Sequence, residues 1–191
     1  MGNLTRRFCD TQPHKRLFSR FGLPLVLSLS VFVASLGVVT AFAEPSHSLD
    51  LSARGALIDR ILSERVETVL PGLMRRTGVD SWILVSREYN EDPVLKTFLP
   101  SLWFSARRRT ILMIFDHGPD QPLETLAVAR YAVGTQFKSA WDPESMPDQW
   151  QRVRQIIDER APETIGINVS ETFALADGLT KTDYDALAEA L

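Results

Sequence analysis

The segment Arg75-Arg76-Thr77-Gly78-Val79-Asp80-Ser81-Trp82-Ile83-Leu84-Val85 decides the fold class, because one kind of element ends in it and another begins. Two cations in a last helical turn, followed by a glycine at ease in left-handed geometry, read as a helix stop. Residues 82–85 are then apolar without alternation, the pattern of a short strand covered on both faces. Upstream, Leu57, Ile58, Ile61, Leu62, Val66, Val69, Leu70 and Leu73 recur at helical spacing across residues 53–76, opposite Arg54, Asp59, Arg60, Glu64 and Glu67. Pro71 lacks a backbone donor, so this segment kinks there or restarts as a second short helix.

The alternation continues downstream. Asp92-Pro93 reads as the cap and first position of a short helical turn. Residues 99–106 are apolar and aromatic, and three arginines then lead into a second unbroken apolar strand over 110–115. Gly118-Pro119-Asp120 turns the chain into a strand over 123–133, an antiparallel hairpin with a long loop. A break spans 142–148, after which Trp150, Val153, Ile156 and Ile157 form one face of a helix closed by Ala161-Pro162. Residues 165–169 are the next strand. Residues 170–180 read as a loop with Leu175 and Leu179 turned inward. Thr182 and Asp185 read as a capping box opening a last helix with Tyr184, Leu187 and Leu191. That helix has no stop signal, so Leu187 is expected to be incompletely covered and the helix end to fray. Helix, strand, hairpin, helix, strand, helix predicts an α/β fold with a mixed sheet covered by helices.

The 191 residues are enough for one domain and an appendage. The appendage is residues 1–43. Arg6, Arg7, Lys15, Arg16 and Arg20 precede a long apolar run that ends at Ala41-Phe42-Ala43, where small residues suit a signal peptidase. This reads as a secretory signal cleaved before Glu44, or, at its length, as an uncleaved signal anchor. Export places the protein in the periplasm or outside the cell, and an anchor holds it to the membrane. Residues 44–51 read as a tether and 52–191 as the folded domain.

The chain carries a net charge of −3, but the leader holds five of its 21 Lys and Arg and one of its 24 Asp and Glu, which leaves the body at −7. An acidic body disfavours nucleic-acid binding. Cleavage would remove Cys9, the single cysteine, and leave only His47 and His117, without metal-ligand spacing. No catalytic, cofactor-binding or metal-binding residue is therefore assigned.

Several clusters nonetheless carry chemistry. Arg107-Arg108-Arg109 beside Trp103 and Phe104 suits a phosphate or a single strand of nucleic acid, the plainer alternative being the solvated start of a strand. Asp116-His117 at a strand end has the form of an acid/base pair but lacks an orienting third group. Glu88, Glu91 and Asp92 follow the first strand, where open α/β sheets place ligands or cations. Asn168-Val169-Ser170 fits the glycosylation triplet, and Asp80 with Asp116 would be the carboxylates of a ribonuclease-H-like nuclease, the weakest of these readings.

Residues 70–85, then Arg87-Glu88-Tyr89-Asn90-Glu91-Asp92-Pro93, resemble the N-terminal domain of the creatinase, prolidase and aminopeptidase P family of metallopeptidases. Residues 107–115, the hairpin, and Ile165-Gly166-Ile167-Asn168 with Ser170 look like later elements of the same domain. The resemblance implies a ribonuclease-H-like mixed sheet preceding a pita-bread domain that holds two divalent metal ions on two Asp, one His and two Glu. Residues 52–191 end before such a domain would begin, so no ligand of those ions is assigned here. The expected function is a C-terminally truncated, non-catalytic domain of a secreted Xaa-Pro-peptidase-like protein, supporting contacts with a second subunit and the rim of a peptide substrate pocket. The alternative is a stand-alone exported ligand-binding or structural module.

Overall fold

A computed structural model describes residues 48–191. The leader expected over 1–43, Cys9, His47 and half of the 44–51 tether lie outside the described residues.

Asp50 accepts the N–H of Ala53 and so opens helix α1, Leu51–Glu64, which takes in the last residue expected in the tether. Arg65–Val69 then forms a π-helical turn, and α2 runs over Leu70–Thr77. Pro71 explains the wide turn. It cannot donate to a carbonyl four residues back and its ring presses against that carbonyl, whereas in the π turn the Leu70 N–H reaches five residues back to Arg65. Gly78, at φ 67°, closes α2 as expected. Its N–H bonds to the carbonyl of Arg75 while Val79 bonds to that of Met74, the paired closure of a Schellman motif.

Strand β1, Ser81–Arg87, is an inner strand of the sheet. The short helix α3, Pro93–Lys96, follows it, and β2, Arg109–Phe115, runs back antiparallel with Ser81 opposite Phe115 and Arg87 opposite Arg109. Strand β3, Glu124–Val128, completes a meander, and β4, Lys138–Ser139, lies parallel to it. Helix α4, Gln149–Arg160, leads to β5, Ile165–Ile167, which pairs parallel with β1, and α5, Lys181–Ala190, ends the chain. The sheet order is β4-β3-β2-β1-β5, a mixed five-stranded sheet. No described helix is long and apolar enough to cross a membrane.

The unbroken apolar runs of β1 and β2 are buried on both faces. Leu84, Leu112, Ile114 and Ala127 face Leu62, Val66, Leu70 and Met74 of the N-terminal helical segment. Ile83, Val85, Ile111, Met113 and Phe115 face Val153 and Ile156 of α4 and Leu187 of α5. The protein is thus an α/β fold with helices on both sides of a mixed sheet.

Four local expectations need correction. Strand β3 stops at Val128 rather than 133, because the chain doubles back and Val133 pairs with Phe137 across Gly134 before entering β4. Leu175 sits on a 3-10 turn and is mostly exposed, whereas Leu179 does pack against the second core. The capping box of α5 lies two residues upstream, with the Thr180 hydroxyl accepting the Asp183 N–H. Finally, Leu187 is only 2% exposed, and Arg154 donates to the last carbonyls of the helix, Ala190 at 3.1 Å and Leu191 at 2.9 Å. A guanidinium at that end replaces the absent stop signal.

Candidate functional site

Every strand except β2 points toward the same end of the sheet, where β1 closes at Arg87, β3 at Val128 and β5 at Ile167. Open α/β sheets present ligands at the carboxyl ends of their strands. A cleft of about 670 Å³ opens there, lined among others by Arg107, Arg108, Arg109, Arg130, Trp103 and Tyr131. Its volume falls in the range of small-molecule sites. The arginines and Trp103 belong to the basic and aromatic cluster singled out in the sequence, but Phe104 is turned to solvent and does not line the cleft. Arg130 and Tyr131 come from the turn after β3, which the overlong sequence-based strand had hidden.

The backbone at this end is held in unusual conformations. Three described non-glycine residues have a positive φ, and two are here, Tyr89 at 66° and Arg108 at 50°. Left-handed geometry costs a side-chain-bearing residue about 1 kcal/mol or more. Arg108 is kept in it by Glu88, whose N–H donates to the Arg108 carbonyl and whose carboxylate accepts the Arg108 N–H at 3.1 Å.

The charges divide into two groups. Arg87 and Arg109, directly opposite each other on β1 and β2, both approach the buried carboxylate of Asp183, at 3.1 and 3.3 Å. These approaches are off-axis: Arg87 Nε, Arg109 Nε and Asp183 Oδ1 have no aligned hydrogen bond, so charge proximity rather than directed bonding holds the cluster. Asp183 Oδ2 accepts the Thr180 hydroxyl, and the Arg109 guanidinium lies 5.2 Å over the Trp150 ring. Gln149, the first residue of α4, donates to the carbonyls of Arg109 and Val128 and ties the helix to the two strand ends. The second group lies outside this cluster. Arg130 has only a loose contact, at 3.8 Å, with exposed Glu144, and Arg107 and Arg108 make no ion pair among the described residues. Asp183 could not be found from sequence as a partner of these arginines, because it lies far along the chain from both Arg87 and Arg109.

The other sequence candidates are engaged elsewhere. Asp92 is buried, caps α3 through the N–H groups of Val94 and Leu95, and accepts both its remaining contacts from Asn168 Nδ2 at 2.9 Å. Glu91 accepts the Tyr89 N–H, so Glu88, Glu91 and Asp92 form no common site. Asn168 also accepts the Trp82 indole N–H at 2.9 Å, and its buried amide is a structural bridge, not a glycan acceptor.

Asp116 and His117 diverge. Arg75 grips Asp116 with two bonds of 2.8 and 2.9 Å and holds its carboxyl below the ordinary range, while His117 turns to Glu124 at 2.8 Å. Asp80 is joined to Asp116 through the backbone, yet its carboxylate accepts the N–H groups of Glu163 and Thr164. The two carboxylates therefore do not converge as a nuclease pair would require, and they sit at the end of the sheet opposite the cleft. Among the described residues there is no group of three or more His, Cys, Asp or Glu that could hold a metal ion.

No protein-family model, curated protein or solved structure matches the chain.

Proposed function

We propose that the chain is an exported protein whose residues 52–191 serve as the non-catalytic, ribonuclease-H-like N-terminal domain of a creatinase and aminopeptidase P type metallopeptidase. On this reading the domain supports contacts with a second subunit and edges the substrate pocket of a pita-bread domain that carries the two divalent ions. One observation supports it. The segments that carry the resemblance, 70–93, 107–115 and 165–168, occupy α2, β1, β2 and β5, and those strands are consecutive neighbours in the sheet. Scattered chance similarities would not be expected to assemble into one contiguous unit.

The test is to read the gene beyond the codon for Leu191. An in-frame continuation with Asp, Asp, His, Glu and Glu in pita-bread order is expected; a stop codon followed by an unrelated gene overturns the reading. The isolated 191-residue chain should release no N-terminal residue from an Xaa-Pro peptide in manganese or zinc, because two-metal hydrolysis needs a clustered ligand set.

A second reading, a stand-alone exported binding module, is favoured by the arginine-lined cleft. The same gene sequence separates the two.

A further inference from the structure

We infer that the cleft at the carboxyl end of the sheet is a binding site for a small organic phosphate bearing a planar ring, a ligand of nucleoside monophosphate size. The inference goes beyond the proposed function and holds for either reading of it.

Charge is the first argument. Arg87, Arg107, Arg108, Arg109 and Arg130 gather at this end, and the carboxylates in contact with them are Asp183, Glu144 and Glu88. Two positive charges remain in excess, on a body that is otherwise acidic. A phosphate monoester carries about −1.5 to −2 at neutral pH, which matches that excess. Geometry narrows the anion further. Arg107 and Arg108 are consecutive, line one cleft and make no ion pair among the described residues. A carboxylate has two oxygens to divide between two guanidiniums, as Asp183 does between Arg87 and Arg109, whereas a phosphate offers three terminal oxygens and can accept paired bonds from two forks at once.

The lining also supplies aromatic surface. Trp103, Tyr131 and Trp141 line the cleft, and Tyr131 is 61% exposed, free to cover a planar ring. Strain is the third argument: Arg108 is held in left-handed geometry at the rim, where glycine would be easier, and such strain collects at functional positions. The limited volume, about 670 Å³, suits a nucleotide-sized molecule rather than a continuous strand.

The experiment is isothermal titration of the 191-residue chain with AMP, adenosine, inorganic phosphate, succinate and a single-stranded dT oligomer, at low and high salt. AMP should bind, with affinity falling as salt rises, and adenosine, phosphate and succinate should each bind at least about tenfold more weakly, the loss expected when either the anion or the ring is absent. Arg107→Gln and Arg108→Gln, both at exposed side chains, should each weaken AMP about fivefold or more, while Arg76→Gln, on exposed α2, should leave it unchanged. Equal binding of phosphate and AMP overturns the ring, equal binding of succinate overturns the phosphate, and tighter binding of the oligomer overturns the small ligand. No AMP binding by folded wild-type protein, or full binding by Arg107→Gln and Arg108→Gln, overturns the site.

Discussion

Replacing Asp183 by Asn should destabilise the protein by about 2–3 kcal/mol, far more than an exposed carboxylate of α5 would. Asp183 is 1% exposed and faces two guanidiniums whose parent residues are cross-strand partners, so neutralising it leaves two like charges directly opposed. Removing one member of a buried ion pair costs about 3–5 kcal/mol in general. The lower figure applies here because the Arg87 and Arg109 side chains are 39% and 32% exposed, and water reaches them once the carboxylate is gone. The isosteric amide keeps the shape and leaves the N–H of residue 183 on the Thr180 hydroxyl, so helix capping is not the variable. For a domain of this size the loss corresponds to a fall in Tm of roughly 6–15 °C. Urea unfolding should show a lower midpoint with an unchanged slope. In an Arg109→Gln background the same substitution should cost at least about 1 kcal/mol less, since the repulsion between the two guanidiniums is already gone. A single variant within about 0.5 kcal/mol of wild type, or an undiminished cost in the Arg109→Gln background, would refute the charge argument.

Three further outcomes are expected. Gly178→Ala should cost about 1–3 kcal/mol by urea titration, since a Cβ there would lie 2.1 Å from Asp92 Oδ2 and break up the Asp92–Asn168–Trp82 bridge. Stability should fall with acidity from the ordinary carboxyl values of 3.8 and 4.5 downward: Asp116, held down by Arg75, and Glu124, held down by Arg160, contribute fully above those values and lose the contribution as pH drops through their lower folded ones. Melting curves between about pH 2 and 7 should therefore show a flatter acid limb for Glu124→Gln. Arg108→Gly should raise stability by about 0.5–1 kcal/mol by relieving left-handed strain while weakening AMP, opposite signs that calorimetry and titration read on one sample.

The two central strands were legible because burial on both faces writes itself into consecutive apolar letters, as in 82–85 and 110–115. The stop at Gly78 and the cap at Asp92 were legible because each rests on local backbone chemistry. Strand β4, two residues long, has too few residues to show a period, and β3 was read too long because Ala129 and Val133 are buried without belonging to the ladder. At the cleft, the arginine run and Trp103 were visible, but Arg130 and Tyr131 reach it through a turn. What gathered the charge run into a cleft was its neighbours, and those are set by folding rather than by spacing.

The rim of the sheet has a consequence of its own. The seven-residue strands β1 and β2 lie inside, while the outermost strands β4 and β5 have two and three residues. A foreign chain seeking to extend the sheet meets only a few open peptide groups on either side, too short a template for stable cross-molecular pairing. Concentrated samples of the folded protein should thus resist fibril seeding, and any aggregation should require first that β1 or β2 be stripped of its neighbours.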